Sequence, residues 1–188
     1  ATIGDELVFT DGAGELGRHP LAGGAHPANL ACALAAVLAL GVDRATVGNR
    51  LRLVTTPPHR AVVARTDGGV TVIDDTFSAN PEGARTALVT LRRVGDGGAT
   101  AVVTPGMVEL GAAQEDENRS FAAAAAEAGA TLVVVGWINR GALSEGATNA
   151  GGRVVVVADR EAARTWVRGN LGDGDAVLWE NDLPDHYP

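Results

Sequence analysis

The stretch AVVARTDGGVTVIDDTFSANPEGARTALVTLRRV, residues 61–94, decides the fold. Two β-branched runs flank Asp67-Gly68-Gly69, a strong hairpin signal. The second run ends in Asp74-Asp75, and small polar residues carry the chain to Asn80. Pro81 then opens a helical pattern, in the first turn where its missing N–H costs nothing. A strand that enters a polar corner and a helix that leaves it form the repeating unit of an α/β fold.

Downstream the same alternation continues. ATAVVTPG reads as a strand, ENRSFAAAAAEAG as a helix, TLVVVG as a strand and NRGALSEGATNAG as a helix. RVVVVA, DREAARTWVRGNLG and DAVLWE complete the series as strand, helix and strand. Short apolar strands without polar alternation are buried on both faces. The expectation is a Rossmann-like α/β domain over residues 57–188: a mostly parallel sheet, helices on both faces and an N-terminal β-hairpin.

Upstream the pattern differs. VTTPPHR, residues 54–60, is held extended by two prolines and reads as an interdomain linker. Before it, Pro27 starts a helix through ANLACALAAVLAL that stops at Gly41, and a second helix covers 44–53. Residues 1–25 read as Gly-rich and irregular, with one short strand candidate at ELVFT. Residues 1–56 are thus expected to be a partial helical and strand tail of a preceding central domain. The chain begins without Met, and a fragment is expected.

Composition narrows the chemistry. The net charge is −8 with no polybasic run, which argues against nucleic acid or an anionic membrane as the main partner. All 15 basic residues are arginine, so Schiff-base chemistry and a complete Walker A loop are missing from this chain. Arginine-only usage also fits a GC-rich genome. The single cysteine, Cys32, permits no internal disulfide and fits core packing in a cytoplasmic protein. The apolar run 30–40 is too short to span a membrane.

Ligands in open parallel sheets bind beyond the carboxyl ends of the strands. Asp75 lies at such an end, where its carboxylate can accept two ribose hydroxyls, with Ser78 and Asn80 at the following helix start. The same residues can simply cap that helix and close the turn. Glu109, in TPGMVELG, is placed to bind an amine or Mg²⁺, or to lie solvated in a loop. Arg60, on a stiff hinge, can reach a phosphate when two domains close, or stay in water. His26 and Asn29 lie at the first turn of the helix from Pro27, where backbone N–H groups favour anions and an amide side chain can hydrogen-bond a base, or where the pair simply caps the helix. Asn181 and Asp182 belong to an acidic terminal ENDLPDHYP that can close over an amine-bearing substrate or remain a solvated tail.

Four segments in order carry a resemblance: GGAHPANLACALAA, PPHRAVV, VIDDTFSANP and PGMVELG. Together they resemble the Mur ligase family of ATP-dependent amide ligases, and most of all its D-alanyl-D-alanine-adding branch. The likeness spans about residues 20–140. It implies that Asn29 contacts adenine, that Arg60 reaches an ATP phosphate and that Asp75 holds the ribose hydroxyls. It makes Asn80 either structural or near the nucleotide, and His26, beside Asn29, is taken with the nucleotide site. It leaves Ser78, Glu109, Asn181 and Asp182 for the substrate. ATP and Mg²⁺ are the implied cofactors, with the Mg²⁺ ligands and the phosphate-binding Gly-Lys-Thr loop upstream of this chain. The chain by itself is therefore expected not to hydrolyse ATP. The implied partners are a nucleotide and a cell-wall precursor, with no nucleic acid and no membrane.

The departures are specific. Ala25 and His26 stand where the family has His-Asn, and Phe77-Ser78 where Tyr-Asn is usual. WENDLPDHYP replaces a Lys-Gly-Ser type loop near the last strand, so the acceptor amine is left open. Two other readings stay in play. One is a non-catalytic nucleotide-binding module, although no G-x-G-x-x-G follows the first parallel strand. The other is a protein-interaction domain in cell-wall metabolism.

Overall fold

The computed structural model describes residues 2–3, 6–20, 27–55, 57–77, 79–95 and 97–182. The chain forms two compact units, residues 1–60 and 61–188, each described by itself below.

In the first unit a three-stranded antiparallel sheet, in the order β1-β2-β3, comprises β1 (Thr2–Ile3), β2 (Glu6–Asp11) and β3 (Gly14–Pro20). The helices α1 (Pro27–Ala39) and α2 (Arg44–Leu51) follow. The sheet corrects the expectation that residues 1–25 are irregular apart from ELVFT. β3 carries little apolar signal of its own, and packing creates it. Gly48 on α2 leaves room for the Leu16 carbonyl, which would lie 2.4 Å from an added Cβ. Leu7, Leu16, Leu30, Leu34, Val47 and Leu51 form the core of the unit. Helix α1 begins at Pro27 as expected, and Gly41 (φ 85°) ends the turn after it, donating to Leu38 O. Helix α2 is capped by Asp43, whose carboxylate accepts the Thr46 N–H.

The second unit is a six-stranded sheet. The hairpin β4 (Val62–Arg65) and β5 (Thr71–Asp75) is antiparallel, and the turn at 67–69 joins it. The other four strands, β6 (Thr100–Thr104), β7 (Thr131–Val135), β8 (Val154–Val157) and β9 (Ala176–Glu180), are parallel to β5. The order is β4-β5-β9-β6-β7-β8, so the last strand returns to the middle of the sheet. Helices α3 (Pro81–Val94), α4 (Gln114–Glu127) and α5 (Arg140–Asn149) cover one face, and α6 (Arg160–Asn170) covers the other.

Two apolar cores result. On the α3–α5 face, Ile73, Val102 and Leu178 from three adjacent strands meet Leu88, Leu91, Phe121 and Leu143. On the α6 face, Val103, Val133 and Val177 meet Ala163. Helix α3 shows how the pattern works: Ala84, Ala87, Leu88 and Leu91 recur at helical spacing and are all buried. Small residues let helices approach closely. Gly146 of α5 lies against α4, where a Cβ would come within 2.1 Å of the Arg119 carbonyl oxygen. Helix α4 starts three residues before the expected segment, after a short 3₁₀ turn at Gly111–Ala113. Glu115, Asp116 and Glu117 fill its first turn, where the helix dipole favours negative charge.

Candidate functional site

The carboxyl ends of β5, β9 and β6 lie side by side, and the register fixes what they present. Asp75 pairs with Glu180, and Val103 pairs with Trp179, which sets Thr104 opposite Glu180. Two residues before each of the three stand Ile73, Leu178 and Val102, all in the α3–α5 core. Strand side chains alternate, so Asp75, Glu180 and Thr104 form one row on that same face.

Glu180 is fully buried. The Thr104 hydroxyl donates to its Oε2 at 2.5 Å, and its Oε1 has no hydrogen-bond partner among the described residues. Burial pushes its carboxyl up to about 7, Thr104's hydrogen bond works against this, and the negative charge of Asp75 adds to it. Asp75 accepts the Ala61 N–H through Oδ1 at 3.0 Å, and its carbonyl accepts the Asn181 N–H at 3.1 Å.

Beyond β6 the chain makes a turn that side chains hold from several directions. Thr104 Oγ1 accepts the Gly106 N–H at 2.8 Å. Asn118, fully buried, accepts the Met107 N–H and donates to the Met107 carbonyl, both at 2.8 Å. Asn139 donates to the carbonyls of Pro105 and Met107 at 3.1 Å and accepts from Gln114 at 3.0 Å. Asn181 Nδ2 donates to the Gly106 carbonyl at 2.7 Å. Gly106 itself has φ 84°, and a Cβ there would lie 2.5 Å from Asn118 Oδ1. Next to this turn a groove of about 480 Å³ opens between the starts of α4 and α5, lined by Gly111, Gln114, Glu115, Ile138, Asn139 and Gly141.

The opposite face of the same edge is closed by ions and an aromatic ring. Arg160, the first residue of α6, pairs with Asp182 and lies over the Trp179 ring at 5.5 Å. Burial lowers its proton affinity, with the like charge of Arg164 adding to this and Asp74 opposing it. Asp74 accepts the Thr76 hydroxyl at 2.6 Å.

The residues singled out from the sequence fall as follows. Asp75, Asn181 and Glu109 lie at this carboxyl edge, Glu109 exposed and left-handed at φ 64°. Asp182 is engaged by Arg160. Asn80 caps α3, its Oδ1 accepting the Gly83 N–H at 2.9 Å, which is the capping reading of that residue. Asn29 is exposed in the first turn of α1, in the first unit, and Arg60 is the exposed last residue of that unit. His59 and Ala61, on either side of Arg60, are both left-handed, at φ 62° and 50°. His26 and Ser78 lie outside the described residues. Sequence reasoning passed over Glu180, Thr104, Asn118 and Asn139. The one signal for Glu180 was an acid closing an otherwise apolar parallel strand. Among the described residues no three His, Cys, Asp or Glu side chains are arranged to hold a metal ion, so no Mg²⁺ is assigned to them. Among them also, no helix is long and apolar enough to cross a membrane.

Comparison with known proteins gives the frame. The family described as "Mur ligase, glutamate ligase domain" matches residues 59–180. The UDP-N-acetylmuramoyl-tripeptide--D-alanyl-D-alanine ligase of Mycobacterium leprae is 35% identical over 173 residues, covering 80% of this chain and 33% of that protein. The UDP-N-acetylmuramoylalanine--D-glutamate ligase of Rubrobacter xylanophilus is 34% identical over 175 residues, covering 90% of this chain and 36% of that protein. In fold, the MurF ligase of Thermotoga maritima, solved in complex with ADP, superposes with a TM-score of 0.56 at 24% identity, over 82% of this chain and 34% of that one. The chain thus spans about a third of the length of the curated relatives it matches. With 122 consecutive positions, 59–180, matched by one family and the Asp75–Glu180–Thr104 edge inside that span, the chain belongs to the Mur ligase family.

Proposed function

We propose that this chain is part of an ATP-dependent carboxylate–amine ligase of peptidoglycan precursor synthesis. Residues 1–56 are read as the end of its central ATPase domain and residues 57–188 as its C-terminal domain. The observation that carries the reading is Asp75, which closes β5 at the carboxyl edge within the span the family matches. The names of the relatives support the chemistry, and a relative in fold binds ADP.

In this reading the whole enzyme transfers the γ-phosphoryl of ATP to a substrate carboxylate. An amine then attacks the acyl carbon, a C–N bond forms, and phosphate leaves. Such catalysis works by positioning and by offsetting charge on the transferring phosphoryl group. Asp75 accepts the ribose hydroxyls. A carboxylate has about four lone-pair sites, so Asp75 can hold the Ala61 N–H and still accept a hydroxyl. Arg60 meets a phosphate, Asn29 and His26 face the adenine end, and Asn80 fixes the helix start behind Asp75. Ser78, Glu109, Asn181 and Asp182 border the substrate. Movement about Pro57-Pro58 brings the C-terminal domain to the nucleotide and keeps water from the acyl phosphate. Mg²⁺, when bound by residues outside this chain, would offset phosphate charge. The relatives differ in acceptor, D-alanyl-D-alanine in one and D-glutamate in the other.

The test is phosphate release from ATP by the full-length protein, with a UDP-muramoyl peptide and each of the two amines. Release that needs both the carboxylate and an amine is the expected result. ATP consumption that ignores the amine sinks the reading.

A further inference from the structure

Glu180 is a group at the carboxyl edge that nucleotide binding leaves unused. It closes β9 in the interior of the sheet, and its surface is fully covered. One of its oxygens is held by Thr104, and the other has no hydrogen-bond partner among the described residues. A buried carboxylate with half of its acceptors unmet is unfavourable, and in native proteins it calls for an explanation. The charge bearing on it is a second negative one, that of its register partner Asp75. That disfavours an anionic ligand and favours a donor that carries positive charge. On β9's other face the Arg160 guanidinium is taken by Asp182 and Trp179. A compact cation with N–H donors fits the row, and an ammonium is that cation.

We propose that Glu180, with Asp75 and Thr104 beside it, receives the protonated amine of the acceptor substrate. This rests on the ligase reading above and adds the residue that selects for an amine. Oε1 accepts a hydrogen bond from the ammonium and then its proton: the N–H bond breaks, an O–H bond forms, and a neutral amine with its lone pair remains to attack the acyl phosphate. A carboxyl of ordinary acidity is a poor base for an ammonium, whereas one that holds its proton up to about pH 7 is matched to the task. The next residue, Asn181, is left-handed (φ 58°) and turns the chain directly after the covered carboxyl.

The test uses the full-length protein with glutamate carboxyls labelled with ¹³C. D-alanyl-D-alanine and D-glutamate are the probe amines, and their N-acetyl forms are the controls. The Glu180 signal is the one that titrates near pH 7 and disappears in Glu180→Gln. It is expected to move with at least one free amine and with neither acetylated form. No movement with either free amine overturns the proposal. In turnover, Glu180→Gln keeps an oxygen for Thr104 and removes the charge. It should raise the KM for the amine at least about tenfold, shift the KM for ATP less than about twofold, and abolish the acidic limb near pH 7 in kcat/KM for the amine. An unchanged amine KM with that limb intact overturns it equally. If the wild-type protein releases no phosphate when amine is added, the ligase reading fails, and the carboxyl signal still decides for or against the amine site. If the variant does not fold, the wild-type signal, identified by its titration near pH 7, decides alone.

Discussion

Thr104 and Glu180 meet at the ends of adjacent parallel strands, the hydroxyl donating to Oε2 at 2.5 Å, and the pair seals a carboxyl in the interior. The consequence is thermodynamic. The folded state holds the Glu180 proton up to about pH 7, against an ordinary value of 4.5. A group whose folded affinity is raised contributes stability that is present below the unfolded value and lost as pH rises through the folded one. That loss amounts to about 3 kcal/mol between pH 4.5 and 7 for a rise of this size. All three tryptophans, at positions 137, 166 and 179, lie in the second unit, so their fluorescence follows it during urea unfolding. Stability should fall from pH 5 to pH 8 in the wild-type chain and change far less in Glu180→Gln. Glu15 and Asp43 have lowered values and act below pH 4.5, outside this window. Equal wild-type stability at the two pH values would show that Glu180 has an ordinary acidity.

Thr104→Val tests the other member of the pair. It removes the donor to Glu180 and the acceptor of the Gly106 N–H while keeping the shape. Two buried groups lose a partner, at a cost of about 2–4 kcal/mol. Since the Thr104 hydrogen bond lowers the Glu180 value, its loss should also move the pH transition upward. Thr104→Ser, which keeps the hydroxyl, should retain most of the stability. A Val variant as stable as the Ser variant would show that the hydroxyl is not needed.

The turn at 105–107 should tolerate almost no change. In Gly106→Ala the new Cβ would lie 2.5 Å from Asn118 Oδ1 and 2.8 Å from Asn139 Cβ, on a backbone at φ 84°. Asn118→Leu leaves the Met107 N–H unmet and takes from the Met107 C=O one of its two donors, Asn139 keeping the other. Each should cost about 3 kcal/mol or more, from overpacking with backbone strain in one and unsatisfied polar groups in the other. Urea midpoints read the effect, and a loss below about 1 kcal/mol for either would mean that the turn is not pinned as described.

How much of this could be read in the sequence varies by element. The second unit was legible because buried parallel strands are continuous apolar runs, as in 131–135, and Asp67-Gly68-Gly69 marks a hairpin without help from packing. β3 was not, because Gly14–Pro20 takes its strand form from β2 and from Gly48 of α2 rather than from its own residues. Asp75 stood out because a polar pair at a strand end is unusual. Asn118 and Asn139 did not, because a single Asn in or beside an amphipathic helix looks the same whether it faces water or a loop carbonyl. Glu180 was passed over for a different reason. It was read with the acidic residues after it, whereas strand register assigns it to the row of Asp75 and Thr104.

Asp75 is predicted to separate nucleotide binding from folding. Its carboxylate accepts the Ala61 N–H, where Ala61 is held left-handed at φ 50°, so truncation to Ala removes a structural bond as well as any ribose contact. Asp75→Asn keeps an oxygen for Ala61 but loses the charge. In the full-length protein Asp75→Ala should raise the apparent KM for ATP by about tenfold or more, the loss expected for one charge-assisted hydrogen bond. Asp75→Asn should fall between Ala and wild type, with thermal stability close to wild type. Steady-state kinetics with ATP varied and the other substrates saturating makes the measurement, and an Ala variant with unchanged KM for ATP removes the ribose role from Asp75. The amine KM provides the contrast. Asp75 reaches the amine only through its charge on Glu180, so that parameter should respond less to Asp75→Asn than to Glu180→Gln.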